Sequence, residues 1–358
     1  MGTQMLYEPA QSAYREHHGT ETVLTRITDD IHCALDDGKG AYLVLLDLSA
    51  AFDTIIHHGM LLHRLEENLG LRYGTSVVTD VFRFENPTPN MSNFVRLRME
   101  SCSKNLRSWM KTSYLKLNDE KTELIVITSP YYRNMVQNAA IQVGSHVSEA
   151  NTSVRNLGII FDSSLNMEKH VSAVCKSSYH HLHNIKSIRK SLDNKTAETL
   201  IHAFVTSRLD CVNALLVGLP KRLLSKLQIV QNCAARVVMK VSRSEHITTT
   251  LHHLHWLPIQ QRVTYKILLL TWGILHGQAP GYLTDIITPY IPARPLGSKY
   301  ANRLVGPRFH TSRYGGRAFS RMGPRICNSM PEDQRGYNSL PVLKPKLKSY
   351  LFNNAFEV

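Results

Sequence analysis

A chain of 358 residues that is 43% hydrophobic and 20% charged has an ordinary globular balance, which excludes a disordered or fibrous class and leaves room for about two or three domains. Six cysteines (Cys33, Cys102, Cys175, Cys211, Cys233, Cys327) form no CxxC pair, which argues against a disulfide framework and a cysteine zinc site and for reduced core residues. The net charge of +14 hides a split: residues 1–150 hold 14 Lys and Arg against 18 Asp and Glu, residues 151–358 hold 28 against 10. The basic back half points to a polyanion, nucleic acid before an anionic membrane surface, although scattered cations also keep a helical region in solution.

Residues 1–11 carry no periodic pattern. From Thr20, Val23, Ile27, Ile31 and Leu35 recur every four residues and predict an amphipathic helix, ended by a solvated turn at Asp36-Asp37-Gly38-Lys39-Gly40. The apolar run Tyr42 to Leu46 then reads as a strand buried on both faces, closed by a carboxylate, Asp47, where the chain must emerge. Small residues Ser49, Ala50 and Ala51 let the backbone turn toward Phe52 and a second acid, Asp53. An acid at the end of a core strand suits metal-assisted phosphoryl transfer; such acids also commonly cap the next helix. A helix is expected through Met60, Leu61, Leu65 and Leu69, stopping at Gly70.

Between Tyr73 and Asn93 the core Glu-Asn-Pro-Thr-Pro-Asn reads as a loop, followed by a helix from Val95 to Met110. A turn at Leu117-Asn118-Asp119-Glu120 precedes a strand from Thr122 to Thr128, opened by Lys121. Ala140 to Val147 and Arg155 to Asp162 read as a strand pair. Beyond Asn166 the pattern is helical, with Asp193 or Asn194 capping a helix over Ala197 to Leu216. Leu223 to Val241 places Leu227, Val230, Ala234 and Val237 on one face, leaving Lys226, Arg236, Lys240 and Arg243 outside it, where they could follow a phosphate backbone or line a solvated face. Ile259 to His276 is apolar nearly all round and reads as a buried helix between Pro258 and Gly277.

Between Asp285 and Glu332 no acid occurs, while eight arginines and lysines do: Arg294, Lys299, Arg303, Arg308, Arg313, Arg317, Arg321 and Arg325. Glycines and prolines make this a loop-rich arm, and Tyr300, Phe309 and Tyr314 could stack on bases. An amphipathic helix from Val342 to Phe352 follows. The clustered histidines at 180, 181 and 183 and at 246, 252, 253 and 255 lack ligand spacing for zinc. The opening MGTQML has no charged-then-apolar leader, and no apolar run spans a bilayer. An intracellular protein, cytoplasmic or nuclear, without a membrane partner is expected.

The stretch LLDLSAAFDT (Leu45 to Thr54) resembles the first palm motif of reverse transcriptases from LINE-type, non-LTR retrotransposons. Other stretches resemble the C-terminal part of the same polyproteins in the same order: QSAYREHHGTET (Gln11 to Thr22), LRSWMKTSYLKLNDEKTELIVI (Leu106 to Ile127), VRNLGIIFD (Val154 to Asp162), FVTSRLDCVNALLVGLP (Phe204 to Pro220) and LHWLPIQQRVTYKILLLTWGILHGQAP (Leu254 to Pro280). The resemblance implies an ancestral RNA-directed DNA polymerase with Mg²⁺ or Mn²⁺ as cofactor, an RNA or DNA template as partner and no small-molecule cofactor. It assigns Asp47 as metal ligand, Asp47, Asp53 and Lys121 as catalytic residues, Lys121 being the general acid toward departing pyrophosphate. Arg15 would meet the incoming triphosphate and Phe52 would exclude a ribose 2′-hydroxyl. Arg303, Arg308, Arg313 and Arg317 join Lys226, Arg236, Lys240 and Arg243 as nucleic-acid contacts.

The fold expected is α+β: incomplete reverse-transcriptase-like fingers and palm, then a mainly α-helical thumb and C-terminal region. Residues 1–72 would form fingers and first palm motif, 73–93 a junction, 94–165 the remaining palm strands with a primer-grip-like segment, 166–285 a helical thumb-like region, and 286–358 a basic loop-rich arm with a terminal helix. The junction stands where the family has a palm helix and a hairpin of paired aspartates. Without that hairpin the core strand is expected to lose a neighbour and leave Leu43 to Leu46 poorly covered. One carboxylate under-ligates two metals, so an inactive polymerase is expected. A nucleic-acid-binding remnant and a non-functional reading frame of a decayed element are the alternatives.

Overall fold

The computed structural model describes residues 16–49, 78–84, 89–112, 116–136, 139–292 and 302–356. The architecture is mixed α+β in two compact units. The first comprises Met1–Leu165 with Pro280–Tyr282, the second Asn166–Ala279 with Leu283–Val358. Among the described residues, no helix is long and apolar enough to cross a membrane.

The first unit is built on a five-stranded sheet in the order β2-β1-β3-β5-β4. β1 (Gly40–Ser49) lies between β2 (Val78–Phe84) and β3 (Lys116–Ile127), antiparallel to both. Its apolar run is continuous because both faces are covered. Tyr42, Val44 and Leu46 enter a core with Met99, Leu117, Leu124 and Val126, and Met99 comes from α2 (Pro89–Thr112). Ala41, Leu43 and Leu45 alternate to the opposite side and are buried too; α1 (Thr20–Asp36) packs on β1, burying Leu24, Ile27, Ile31, Ala34 and Leu35.

Several expectations need correction here. Of the loop expected at residues 85–90, positions 85–88 lie outside the described residues and 89–90 are helical; the described parts of 73–93 are regular structure. They supply β2, paired with β1 from Gly40↔Phe84 to Leu46↔Val78, and the start of α2 at Pro89. The sequence VTDVFRF is β-branched and aromatic, and β1 offers it an open edge, so the strand forms despite the prolines that follow. Leu43 is accordingly 0% exposed and Leu46 7%. Asp36 is buried, leaving Asp37 and Gly38 as the solvated turn.

The segments beyond 140 do not pair with each other. β4 (Ala140–Val143) folds back on β5 (His146–Asn151), and β6 (Ser153–Asn156) on β7 (Ile159–Asp162). Gly144 (φ +60°) and Gly158 (φ +88°) make both reversals, at positions where a side chain is disfavoured.

The second unit is helical: α3 (Glu168–Ile188), α4 (Asn194–Ile201), α5 (Lys221–Met239), α6 (Ile247–His253), α7 (Ile259–Leu275), α8 (Phe319–Ser329) and α9 (Leu340–Phe356). Asp193 caps α4 by accepting the Thr196 N–H at 3.1 Å. After α4 the backbone widens into a π turn over His202–Thr206, so the helix expected to reach Leu216 continues only through Ser207–Asp210. On α5 the buried stripe includes Leu227, Val230, Ala234 and Val238, one position beyond the expected Val237. α8 packs on α7, and the described part of the basic stretch belongs to this unit. No cysteine forms a disulfide; Cys327 is buried, whereas Cys102 and Cys211 are exposed, contrary to a core role for all six. Burial pushes the Cys175 and Cys327 thiols up.

Candidate functional site

Asp47 stands near the end of β1, half-exposed, where the sheet's register breaks. Leu45 pairs with Glu123, yet Asp47 pairs with Asn118, so β3 spends five residues against two on β1. The extra residues protrude as a bulge. Inside it the Lys121 N–H donates to Asn118 Oδ1 at 3.3 Å and Thr122 Oγ1 donates to the Asn118 carbonyl at 3.2 Å. From outside, Arg107 of α2 forms an ion pair with Asp119. The expected turn at 117–120 is therefore a bulge within β3. It directs Lys121 back over the strand end, with Nζ 3.5 Å from Asp47 Oδ2. The two candidate residues, 74 positions apart in the chain, are thus brought together. Arg15, Phe52 and Asp53 lie outside the described residues.

The donor set at Asp47 is one carboxylate with an ammonium against it. A pair of divalent ions needs several oxygen ligands, and an ammonium on the one carboxylate repels a cation. Among the described residues no group of three or more His, Cys, Asp or Glu could hold a metal. The described residues do not fit the implied Mg²⁺ or Mn²⁺.

In the second unit the basic candidates divide. Arg222 donates to Glu168 at 2.8 Å and Lys226 lies 3.8 Å from the same carboxylate. The Arg222 hydrogen bond, then its charge, holds Glu168 below the usual carboxylate range. Lys226 is thus already in an ion pair. Arg236 donates to the carbonyls of Ser242 and Glu245, both at 3.3 Å, fastening the turn after α5, so it is committed to structure. Lys240 and Arg243 remain exposed, Lys240 with φ +56° at the end of α5. Arg317 is 7% exposed, its side chain crowding Gly218, and this removes it from the phosphate-facing set. Arg303, Arg308 and Arg313 are exposed.

Sequence reasoning passed over Arg189. It is buried and donates to the carbonyls of Val237 and Val238 at 2.7 and 2.6 Å and of Leu192 at 2.6 Å, joining the end of α3 to the end of α5. No sequence signal separates it from the neighbouring Lys190.

Arg303 belongs to a short extended pairing. Tyr290 N–H donates to the Arg303 carbonyl at 2.8 Å and Val305 N–H to the Thr288 carbonyl at 2.9 Å, around an antiparallel bridge between Pro289 and Leu304. The Asn328 side chain acts as a further strand, taking the Leu304 N–H at 2.9 Å and donating to its carbonyl at 2.8 Å. Leu304 is buried while Arg303 and Val305 are exposed, the alternation of a strand. Lys299, Tyr300 and Arg294 lie outside the described residues. No family model matches this chain, and no curated protein matches it.

Proposed function

We propose that this chain derives from the reverse transcriptase of a LINE-type retrotransposon and engages nucleic acid without copying it. The observation that carries this reading is the Asp47–Lys121 pair at the end of a central antiparallel strand. A strand-end carboxylate approached by a lysine is the arrangement the resemblance implies for the palm. Here that carboxylate meets a protonated amine in place of a second acid, and β2, which carries no adjacent aspartate pair, fills the neighbouring position in the sheet. Without a carboxylate cluster among the described residues, charge developing on a transferred phosphoryl group has no metal clamp there, and the loss amounts to many powers of ten in rate. The acid-free basic stretch supports retained binding of an RNA or DNA strand.

The test is primer extension on an RNA template with Mg²⁺ and then Mn²⁺, comparing the parent chain with Asp47→Asn. The expected result is no extension from either, with retained, salt-sensitive template binding. Extension by the parent that disappears in Asp47→Asn would show a working polymerase site and end this reading.

A further inference from the structure

We infer that the exposed surface of residues 288–292 and 302–313, which the Pro289–Leu304 bridge joins, is a binding site for single-stranded nucleic acid, with Phe309 as a stacking platform and Arg303, Arg308 and Arg313 as phosphate contacts. This rests on the nucleic-acid reading above and adds the site, the form of the ligand and the mode of contact. Three observations converge. First, residues 286–331 contain no carboxylate, so no side chain of that stretch competes for its cations. Second, these segments expose large apolar side chains: Tyr290 is 46% exposed, Ile291 80%, Val305 41% and Phe309 43%.

Third, Phe309 is held, not merely exposed. The Arg321 guanidinium lies 6.0 Å from its ring centroid, and the ring edge approaches Gly316, whose added Cβ would stand 3.4 Å from Cε2. The Gly316 N–H is itself fixed to the Thr311 carbonyl at 2.8 Å. A positioned ring beside a cation offers a base a π-face without a large ordering penalty. Arg303 is likewise set in place, since the Asn328 amide pins the adjacent Leu304.

The geometry selects single strands over duplexes for a physical reason. A stacking ring needs an unstacked base face, and duplex bases present theirs only to one another. Charge complementarity favours a phosphodiester over a protein partner. RNA and DNA share the chemistry that this face reads, so the sugar is left to experiment.

Fluorescence anisotropy of the full chain with labelled 20-nucleotide single-stranded RNA, the same DNA, and a duplex tests this. Phe309→Ala is expected to weaken single-strand binding by about 5- to 100-fold with little change in salt dependence, while Phe309→Trp restores it. Arg303→Gln with Arg308→Gln is expected to flatten the log-log salt slope by about 1.4. Both arginines are exposed, so this second variant reports even if Phe309→Ala disturbs the fold. Unchanged affinity in Phe309→Ala and in the double arginine variant overturns the site, and if Lys240→Gln with Arg243→Gln then abolishes binding, the nucleic-acid reading stands without it. Equal affinity of the parent for duplex overturns stacking. Tighter binding to phosphatidylserine vesicles than to either strand overturns the ligand class. Failure of the parent to bind any strand at low salt overturns both readings.

Discussion

Gly218 and Asp193 are single residues whose effects follow from their immediate surroundings. Gly218 has φ +68°, and a Cβ there would lie 2.7 Å from Cγ of the buried Arg317. Gly218→Ala therefore combines left-handed backbone strain with a collision, and should lower stability by about 1–2 kcal/mol or more. Tryptophan fluorescence during urea unfolding reports it, since Trp256 and Trp272 lie in the same unit. Asp193 is held below the ordinary carboxylate range, first by its side-chain hydrogen bond with Thr196 and then by the backbone N–H of the same residue. A depressed folded-state pKa contributes stability that is complete above the unfolded value near 4 and is lost as pH falls through the folded value. Asp193→Asn keeps a capping oxygen but removes the titration, so its unfolding midpoint should fall less steeply than the parent's on acidification. Thermal melts at pH 6 and pH 3 check this, and equal acid slopes would contradict it.

At the scale of elements, β1 carries two residues of opposite consequence. Leu43 is 0% exposed between β2 and β3, so Leu43→Ala should cost about 3 kcal/mol through lost burial and a residual cavity. Asp47 pairs with Lys121 where the side chains are 42% and 69% exposed, so Asp47→Asn should cost less than about 1 kcal/mol. Paired chemical denaturation of the two variants separates packing from surface charge on one strand. It also licenses Asp47→Asn as a folded control for primer extension. β1 was legible because an unbroken apolar run of that length fits a strand covered on both sides. β2 was not, because seven residues beside a proline-rich stretch carry little local signal and form a strand only where β1 leaves an edge to fill.

For the whole molecule, the expected α+β class agrees with the mixed α+β architecture, and Asn166 opens the second unit where the sequence turns helical. The charge split concentrates +18 in residues 151–358, but folding decides which cations meet solvent. Arg189 and Arg317 are buried among backbone and glycine, Arg236 fastens a turn, and Lys226 faces Glu168. A count of charges overstates the polyanion surface for that reason. Of the exposed remainder, Arg303 lies beside the Pro289–Leu304 bridge that Asn328 holds from 24 residues away in the chain, and Arg313 lies in a turn.

The sequence by itself determined what depends on near neighbours: the apolar period of α1 and most of that of α5, the apolar run of α7 and its end at Gly277, a cap at Asp193 or Asn194, and the strand that delivers Asp47. Those features arise from residues within a turn or two of each other, so their pattern is written locally. Only the tertiary structure decided what depends on distant pairing: the strand from 78–84 that flanks β1, the β3 bulge that brings Lys121 to Asp47, and the burial of Arg189 and Arg317. Such contacts depend on which edges and carbonyls remain to be satisfied once the local elements have packed, and no short window of sequence contains that information.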